Sequence, residues 1–200
     1  MGELKIKIVL LSTLMGHGGT EAQVEFLAKH LLASRHQVTL VTSGGHRAEA
    51  LAQAGVEVIY EDSISESPLR MLHVMRLVRH WISKEGADLL CAHSFQTGMG
   101  AALAVLGRSN PPPVVLVLHN PFKSWNFRVI AWSGRRWFDQ VVCVSESNRD
   151  LLLDLGAPAD KVISIPNGVD TERYTPHANE RLPGPLRVGI VARIEVYKSH

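Results

Sequence analysis

Two histidines stand directly behind short apolar runs, at the places where buried strands would end. His93 follows Leu89–Ala92, and His119 follows Val114–Leu118. Because the carboxyl ends of parallel strands line the binding crevice of an open α/β sheet, we expect both imidazoles to face a bound ligand. An imidazole at such a place can hydrogen-bond to the ligand or transfer a proton. The alternative is that each ring is a satisfied structural residue, and the residues alone leave both interpretations open.

A glycine-rich loop from Gly16 to Gly19 lies between the first apolar run and a helical pattern. A strand, loop and helix in this order present free backbone amides and a helix dipole to an anion. The loop lacks the ending of a Walker loop, and Glu21 occupies the third glycine position of a G-x-G-x-x-G pattern. No acidic residue follows the second strand to bind a ribose, which disfavours dinucleotide binding. A plain tight turn is the alternative to an anion site.

Strand-like and helix-like segments alternate along the chain and would position these groups. This alternation predicts an α/β fold in which parallel strands are joined by crossover helices. Most of the strand-like runs are uniformly apolar, as strands covered on both faces should be. The predicted strands are Lys5–Leu11, Gln37–Thr42, Val56–Tyr60, Leu89–Ala92, Val114–Leu118, Val141–Val144 and Val162–Ile165. The predicted helices are Glu21–Ser34 with Thr20 as its N-cap, Arg47–Ala54, Pro68–Lys84, Gln96–Leu106, Ser124–Trp137, and Glu146–Leu155 ending at Gly156.

The chain changes character after Gly168, where a polar and proline-rich stretch begins. We predict an N-terminal domain over residues 1–174, a linker over residues 175–185 and the start of a second domain over residues 186–200. Leu186–Val191 again resembles a strand. Since the chain stops at His200, before the helix that should follow this strand, we expect most of the second domain to be missing.

The composition is that of an ordinary globular domain. Of 200 residues, 46% are hydrophobic, and 21 Lys+Arg against 19 Asp+Glu leave a net charge of +2, which disfavours a nucleic-acid binder. Cys91 and Cys143 lie in apolar runs and are predicted to be reduced core residues. No cysteine or carboxylate has metal-ligand spacing from the histidines, so no metal site is predicted. The N-terminus is unlike a signal peptide, and no apolar stretch could span a bilayer, which predicts a cytoplasmic chain with at most peripheral membrane contact.

The predicted helix Ser124–Trp137 carries aromatic residues on both faces. Phe127, Ile130, Trp137 and Phe138 share one face, and the other holds Trp125, Arg128, Trp132, Arg135 and Arg136. Burying the first face would leave tryptophans beside arginines exposed, which is typical of a membrane interface or an acceptor-binding surface. The alternative is an ordinary solvated helix surface with snorkelling side chains.

Seven short motifs occur in an order that resembles family 4 retaining glycosyltransferases of the GT-B fold. The resemblance covers essentially the whole chain, and its most specific part is the combination of Val144–Ser147 with Ile165–Asp170. The other motifs are Gly18–Glu21, Ala92–Ser94, Leu118–Asn120, Val191–Arg193 and Lys198–His200.

The resemblance implies the Rossmann-like N-terminal domain of a two-domain transferase that takes a nucleotide sugar as substrate and needs no cofactor or metal. It implies that Gly18 and Gly19 approach the donor diphosphate, and that His119 is catalytic and lies near the transferred sugar. Arg193 and Lys198 match a basic pair that neutralises the leaving diphosphate. Cations and amides at such positions stabilise the charge that develops as the diphosphate departs.

Further candidates on the acceptor or sugar side are His93, Ser94, Asn120, Ser145 and Glu146. The resemblance implies a sugar or lipid-linked acceptor, in the synthesis of polysaccharide, glycolipid or cell-envelope glycan. The exposed face of the helix Ser124–Trp137 adds peripheral contact with an anionic membrane as an expectation for a lipid-linked acceptor.

The sequence departs from the family pattern at the second domain. Ala192-Arg193 and Lys198-Ser199 stand where the family usually has Gly-Arg and Lys-Gly, and the donor-binding glutamates of the family would fall beyond His200. We therefore expect this chain alone to be inactive. Two other functions stay open: a non-catalytic ligand- or partner-binding module, and another GT-B enzyme such as a sugar-nucleotide epimerase.

Overall fold

The computed structural model describes residues 5–62, 64, 68–119, 124–172, 174, 175, 185 and 189, with the backbone alone at residues 68–71, 124 and 135. The chain divides into two units, Met1–Gly168 and Val169–His200. In the second unit, Asp170 organises a turn, since its carbonyl accepts from the amide of Tyr174 at 3.0 Å and its carboxylate accepts from the amide of Glu172 at 3.1 Å. The predicted linker and the predicted strand beyond it lie almost entirely outside the described residues, so the domain boundaries stay a prediction.

The first unit is built on a seven-stranded parallel sheet with helices between its strands. The strands, in chain order, are β1 (Lys7–Leu11), β2 (Gln37–Thr42), β3 (Glu57–Tyr60), β4 (Leu89–Ala92), β5 (Val114–Leu118), β6 (Gln140–Cys143) and β7 (Val162–Ser164). The helices are α1 (Gly19–Ala33), α2 (His46–Gln53), α3 (Pro68–Glu85), α4 (Phe95–Val105), α5 (Ser124–Trp137) and α6 (Glu146–Asp154), and a single 3-10 turn, Ala159–Lys161, precedes β7. The predicted α/β class and parallel sheet are confirmed.

The spatial order of the strands is β3-β2-β1-β4-β5-β6-β7. Strand β1 pairs with β2 on one side, where Leu10 is opposite Leu40, and with β4 on the other, where Leu10 is opposite Cys91. The chain therefore runs outward from β1 to β3 and then crosses back to β4. Ligands of doubly wound sheets bind at the carboxyl ends of the strands beside such a reversal.

Both faces of the sheet are covered, and alternation along each strand fills two hydrophobic clusters. Val9 and Leu11 of β1 belong to the larger cluster, and Ile8 and Leu10 to the smaller one. This arrangement explains why the strands are uniformly apolar rather than alternating. Cys91 and Cys143 are free and buried, as predicted.

The start of α1 differs from the prediction, and Thr20 is wrong as the N-cap. Helix α1 begins at Gly19 and its N-cap is Gly18, which is extended (φ −83°, ψ 170°) and accepts from the amide of Ala22 at 3.1 Å. Glycine is acceptable at an N-cap because the position has a non-helical backbone. The helix consequently includes the end of the glycine loop.

The end of α6 follows the prediction. Helix α6 ends at Asp154, and Gly156 has φ +88°, the left-handed conformation that favours glycine. The amides of Gly156 and Ala157 bond to the carbonyls of Leu153 and Leu152, each at 2.9 Å, and so satisfy the last turn. In the described part of the chain, no helix is both long enough and apolar enough to cross a bilayer.

A side chain at Gly98 of α4 is expected to destabilise the fold, because Gly98 lies in close contact with the sheet. A Cβ atom there would lie 2.7 Å from Cδ1 of Leu116, a fully buried residue of β5. Gly98→Ala should lower the free energy of unfolding by about 1–2 kcal/mol, because overpacking outweighs the gain in helix propensity. Gly134→Ala in α5 is the matched control: its Cβ would make only an ordinary 3.6 Å contact with Pro158. It should stabilise by up to about 1 kcal/mol. Urea unfolding of both variants measures the contrast, and equal effects would contradict this account of Gly98.

Candidate functional site

The two predicted histidines meet at the carboxyl edge of the sheet. Nδ1 of His93, directly after β4, lies 3.0 Å from Nε2 of His119, directly after β5, and the two rings are stacked with centroids 5.3 Å apart. The amide of His93 donates to the carbonyl of Leu11 at the end of β1, at 2.9 Å. Both rings therefore lie at the carboxyl ends of neighbouring strands, and His93 is beside the point between β1 and β4 where the strand order reverses.

Both imidazoles are neutral at neutral pH. His93 is 3% exposed, and burial, together with the neighbouring His119, lowers the pKa of His93 to about 3. Burial also lowers the pKa of His119 to about 4. A buried ring without a counter-charge avoids protonation because the low-polarity surroundings solvate the cation poorly. At this site the histidines can act as hydrogen-bonding groups and not as cations.

The second ring nitrogen of His119, Nδ1, is buried and has no hydrogen-bond partner in the described part of the chain. Buried polar atoms of native proteins are nearly always paired. An atom of this kind at the ligand edge of an α/β sheet points to a polar group that binds there.

The glycine loop is held against the start of α2. The amide of Met15 donates to the carbonyl of Gly44 at 2.8 Å, and Nε of Arg47 donates to the carbonyl of Gly16 at 2.8 Å. Arg47 also pairs with Glu25 of α1. Burial alone would raise the pKa of Glu25, but the hydrogen bonds from Lys29 and Arg47 outweigh it and lower this pKa. The ionised carboxylate thus anchors the arginine that holds the loop.

The N-terminus of α1, which the sequence predicts as an anion site, is covered on one side by the carboxylate of Glu21 and is open on the other. Gly18, its N-cap, provides no side chain to bond the amides of the first turn. Gly18 is packed closely: a Cβ atom there would lie within 3 Å of the carboxylate of Glu21. Gly19 is exposed, and a Cβ atom there would meet nothing within 4 Å. The open side of the loop is therefore over Gly19, where an anion can approach the helix dipole.

Two of the predicted acceptor-side residues cap helices. The hydroxyl of Ser94 accepts from the amide of Thr97 at 3.2 Å, while Oγ1 of Thr97 accepts from the amide of Ser94 at 3.2 Å. Ser145 caps α6 in the same way, accepting from the amide of Asn148 at 3.3 Å. Both residues thereby fix the helices that follow β4 and β6.

Glu146 is exposed in the first turn of α6, where it pairs with Arg149 at 3.6 Å. Asn120, Arg193 and Lys198 lie outside the described residues. Within the described ranges, no three His, Cys, Asp or Glu side chains are grouped so that they could hold a metal ion.

Three features of the site were missed by the sequence analysis. Cys91 lies two residues before His93, and its Sγ is 3.5 Å from Nε2 of His93. The alternation of side chains along β4 places both on one side and would have indicated this contact. The other two are the Arg47 anchor and the contact between His17 and His46, whose ring centroids are 4.2 Å apart. Both join the loop after β1 to the first residues of α2, and no local sequence pattern shows this.

The first tryptophan of α5 packs on the start of α4, the helix that follows His93. Phe95, the first residue of α4, packs edge-on against Trp125 of α5 with ring centroids 5.3 Å apart. Trp125 is nevertheless 49% exposed. Trp125 thus covers Phe95, which lies two positions after His93 in the sequence.

The parallel sheet and its flanking helices have the fold of the N-terminal, Rossmann-like domain of GT-B glycosyltransferases. The sequence profile of Glycosyltransferase Family 4 matches residues 17–173, and the chain belongs to this family. No curated protein matches the chain significantly.

Solved structures share the fold at low sequence identity. A glycosyltransferase from Rickettsia africae superposes with a TM-score of 0.67 at 22% identity, over 84% of this chain and 44% of its own length. HepE from Anabaena, in complex with UDP-glucose, gives a TM-score of 0.67 at 23% identity, over 84% and 46%. A UDP-N-acetylglucosamine 2-epimerase from Rickettsia bellii is less similar, with a TM-score of 0.53 at 16% identity over 80% and 44%. The chain thus spans less than half the length of these proteins.

Proposed function

We propose that the chain is the acceptor-side half of a retaining glycosyltransferase that transfers a sugar from a nucleotide sugar to a glycan or lipid-linked acceptor. The observation that carries this proposal is the unpartnered Nδ1 of the neutral His119, at the edge of the sheet to which the glycine loop also leads. The Nδ1 atom of His119 would contact the transferred sugar, and the backbone amides of Gly18 and Gly19 would face the diphosphate. Retention rests on membership of the family.

The chemistry assigned to these groups follows from where charge develops. As the bond from the anomeric carbon to the diphosphate breaks, negative charge accumulates on the leaving oxygen, and the sugar ring gains positive charge. The backbone amides at the N-terminus of α1 are suited to stabilise the negative charge on the leaving oxygen. Arg193 and Lys198 would add cationic charge there. A neutral imidazole beside the sugar adds a hydrogen bond without placing a like charge next to the ring.

A UDP-sugar is the donor class to test first, because HepE has UDP-glucose bound and shares this fold. The whole donor site requires the second half of a GT-B fold. We therefore propose that a longer form, in which that half follows the linker, is the active enzyme in the synthesis of polysaccharide, glycolipid or cell-envelope glycan. Its place is at the cytoplasmic face of a membrane when the acceptor is a lipid.

The test compares this chain with a longer form that carries the second half of the fold. Both are incubated with a panel of UDP-, GDP- and ADP-sugars, with and without acceptor extracts, and the released nucleotide is measured. The chain alone should release none above background, because most donor-binding groups lie outside it. The longer form should release nucleotide in an acceptor-dependent way, with the anomeric configuration of the donor retained in the product.

Two results would contradict the proposal. Turnover by the 200-residue chain itself would show that its own groups complete a donor site. Conversion of the nucleotide sugar to its epimer without any acceptor would assign the fold to an epimerase. NMR of the product distinguishes retained, inverted and epimerised sugars in one experiment.

A further inference from the structure

A buried thiol extends the histidine pair into a chain of three side chains. Sγ of Cys91 lies 3.5 Å from Nε2 of His93, whose Nδ1 lies 3.0 Å from Nε2 of His119. Cys91 is 7% exposed and His93 is 3% exposed. Both inner contacts are therefore shielded from water, and each needs one hydrogen to be a hydrogen bond rather than a repulsion between lone pairs.

The number of protons in this chain follows from burial. Burial raises the pKa of the Cys91 thiol to about 12, so the sulfur keeps its proton, and each neutral ring carries one proton. Two arrangements give each contact one hydrogen. In one, the thiol donates to His93 and His93 donates to His119, which leaves an N–H at Nδ1 of His119. In the other, Nε2–H of His119 donates to His93 and Nε2–H of His93 donates to sulfur, which leaves a lone pair at that Nδ1.

The surroundings of His119 favour the second arrangement. Its Nδ1 is buried without a partner among the described residues. Among buried backbone groups, an N–H without an acceptor is rarer than a carbonyl that lacks a donor, and we apply the same preference to the ring nitrogen. In the second arrangement, Nδ1 of His119 carries only a lone pair. The one hydrogen without an acceptor is then the thiol hydrogen of Cys91, and a thiol is a weak donor.

We propose that Cys91 and His93 are positioning residues that fix His119 in its Nε2–H tautomer, so that Nδ1 accepts a hydrogen bond from a hydroxyl group of the bound sugar. The sugar in this statement rests on the proposed function, while the tautomer is a property of the chain itself. An acceptor at this point selects a ligand that offers an O–H group.

The test is NMR of histidine-labelled chain, in which the ring nitrogens report which of them carries the proton. His119 should be in the Nε2–H form at neutral pH with a preference of at least about tenfold, the ratio expected when the alternative leaves a buried N–H unpaired. No donor or second domain is needed for this measurement.

Cys91→Ala removes the acceptor for His93 Nε2–H. Either arrangement then leaves one N–H without a partner, and the preference at His119 should fall to about twofold or less, because the two costs are of the same kind. His93→Phe removes the contact with His119 while filling the same space and should have the same effect. Cys143→Ala is the matched control, because this second buried cysteine lies on β6 outside the chain of contacts. It should leave the tautomer unchanged.

Thermal unfolding identifies which variants keep the native fold, and one folded variant of Cys91 or His93 is enough for the comparison. A dominant Nδ1–H form in the wild-type chain would overturn the proposal, as would a preference that survives both substitutions. Unchanged activity of a His119→Ala variant in the longer form would instead reject the role of His119 in transfer and leave the tautomer result valid.

Discussion

Replacing His119 with alanine in the active longer form should lower kcat about 100-fold, the loss typical of a positioned hydrogen-bonding group in an active site. The affinity for the donor should change far less, because a contact that strengthens as the sugar reacts contributes mainly to the transition state. The structural basis is the position of the ring after β5, its neutral charge state and the unpartnered Nδ1 atom.

The measurement is steady-state kinetics of nucleotide release together with donor binding by calorimetry. His80→Ala is the control, because His80 is exposed on α3. Its substitution should leave kcat and donor affinity unchanged. Circular dichroism and the unfolding midpoint show whether the His119 variant is folded. A folded variant with wild-type kcat would make His119 a structural residue of the sheet edge.

The fold of the first unit was predictable because its core pattern is strong and local. A strand covered on both faces needs a continuous apolar run, and each such run became a strand within one or two residues of the predicted ends. The predictions that failed concern the start of a helix and a short turn, where the backbone conformation rather than the apolar pattern determines the structure. Thr20 has a good capping side chain, but Gly18 takes the cap because the helix continues into the glycine loop. The short turn at Ala159–Lys161 has no apolar period and was not predicted.

The site was predictable only in part, for a different reason. Strand ends are visible in the sequence, so the positions of His93 and His119 followed once the sheet was known to be parallel. Their 3.0 Å contact depends on which strands are neighbours, and β4 and β5 are adjacent. The contact of His17 with His46 depends on how the loop after β1 packs against the start of α2. Such distances come from the tertiary fold and have no period in the sequence.

The exposed side of α5 is the surface through which we expect the chain to bind membranes. Trp132 is 75% exposed and Trp125 49%, whereas Phe127, Ile130 and Phe138 are buried, as the helical pattern predicted. Arg128 and Arg136 are exposed and share the side of Trp132, with which they line a surface groove. Neither has an ion-pair partner among the described residues. Arg135, also predicted for this face, has a side chain outside the described residues.

This surface, formed by Trp125, Arg128, Trp132 and Arg136, has the composition of a membrane contact. Indole rings favour the headgroup level of a bilayer, and arginines are attracted to anionic lipids. Trp125 also packs on Phe95 beside the histidine pair, so a membrane bound here would lie near the candidate site. A lipid-linked acceptor would then reach that site without leaving its bilayer.

We therefore expect the chain to bind anionic vesicles through α5 and to bind neutral vesicles far less. Arg128→Glu/Arg136→Glu should weaken binding to anionic vesicles about 30-fold or more, given about 1 kcal/mol for each basic residue at such a surface. Trp132→Ala should weaken binding to both kinds of vesicle, because its contribution is apolar. Raising the salt concentration should weaken the interaction of the wild-type chain through screening.

Co-sedimentation at low ionic strength measures these differences, and the control separates the surface from the net charge. Arg76→Glu/Arg79→Glu introduces the same change in charge on α3, where both side chains are exposed. If α5 is the membrane contact, this control should bind anionic vesicles nearly as well as the wild type. If both double variants lose the same amount of binding to anionic vesicles, the loss is explained by net charge and α5 is not the membrane contact. No binding by the wild-type chain at low salt would instead make the tryptophans of α5 a surface for a protein or a water-soluble glycan.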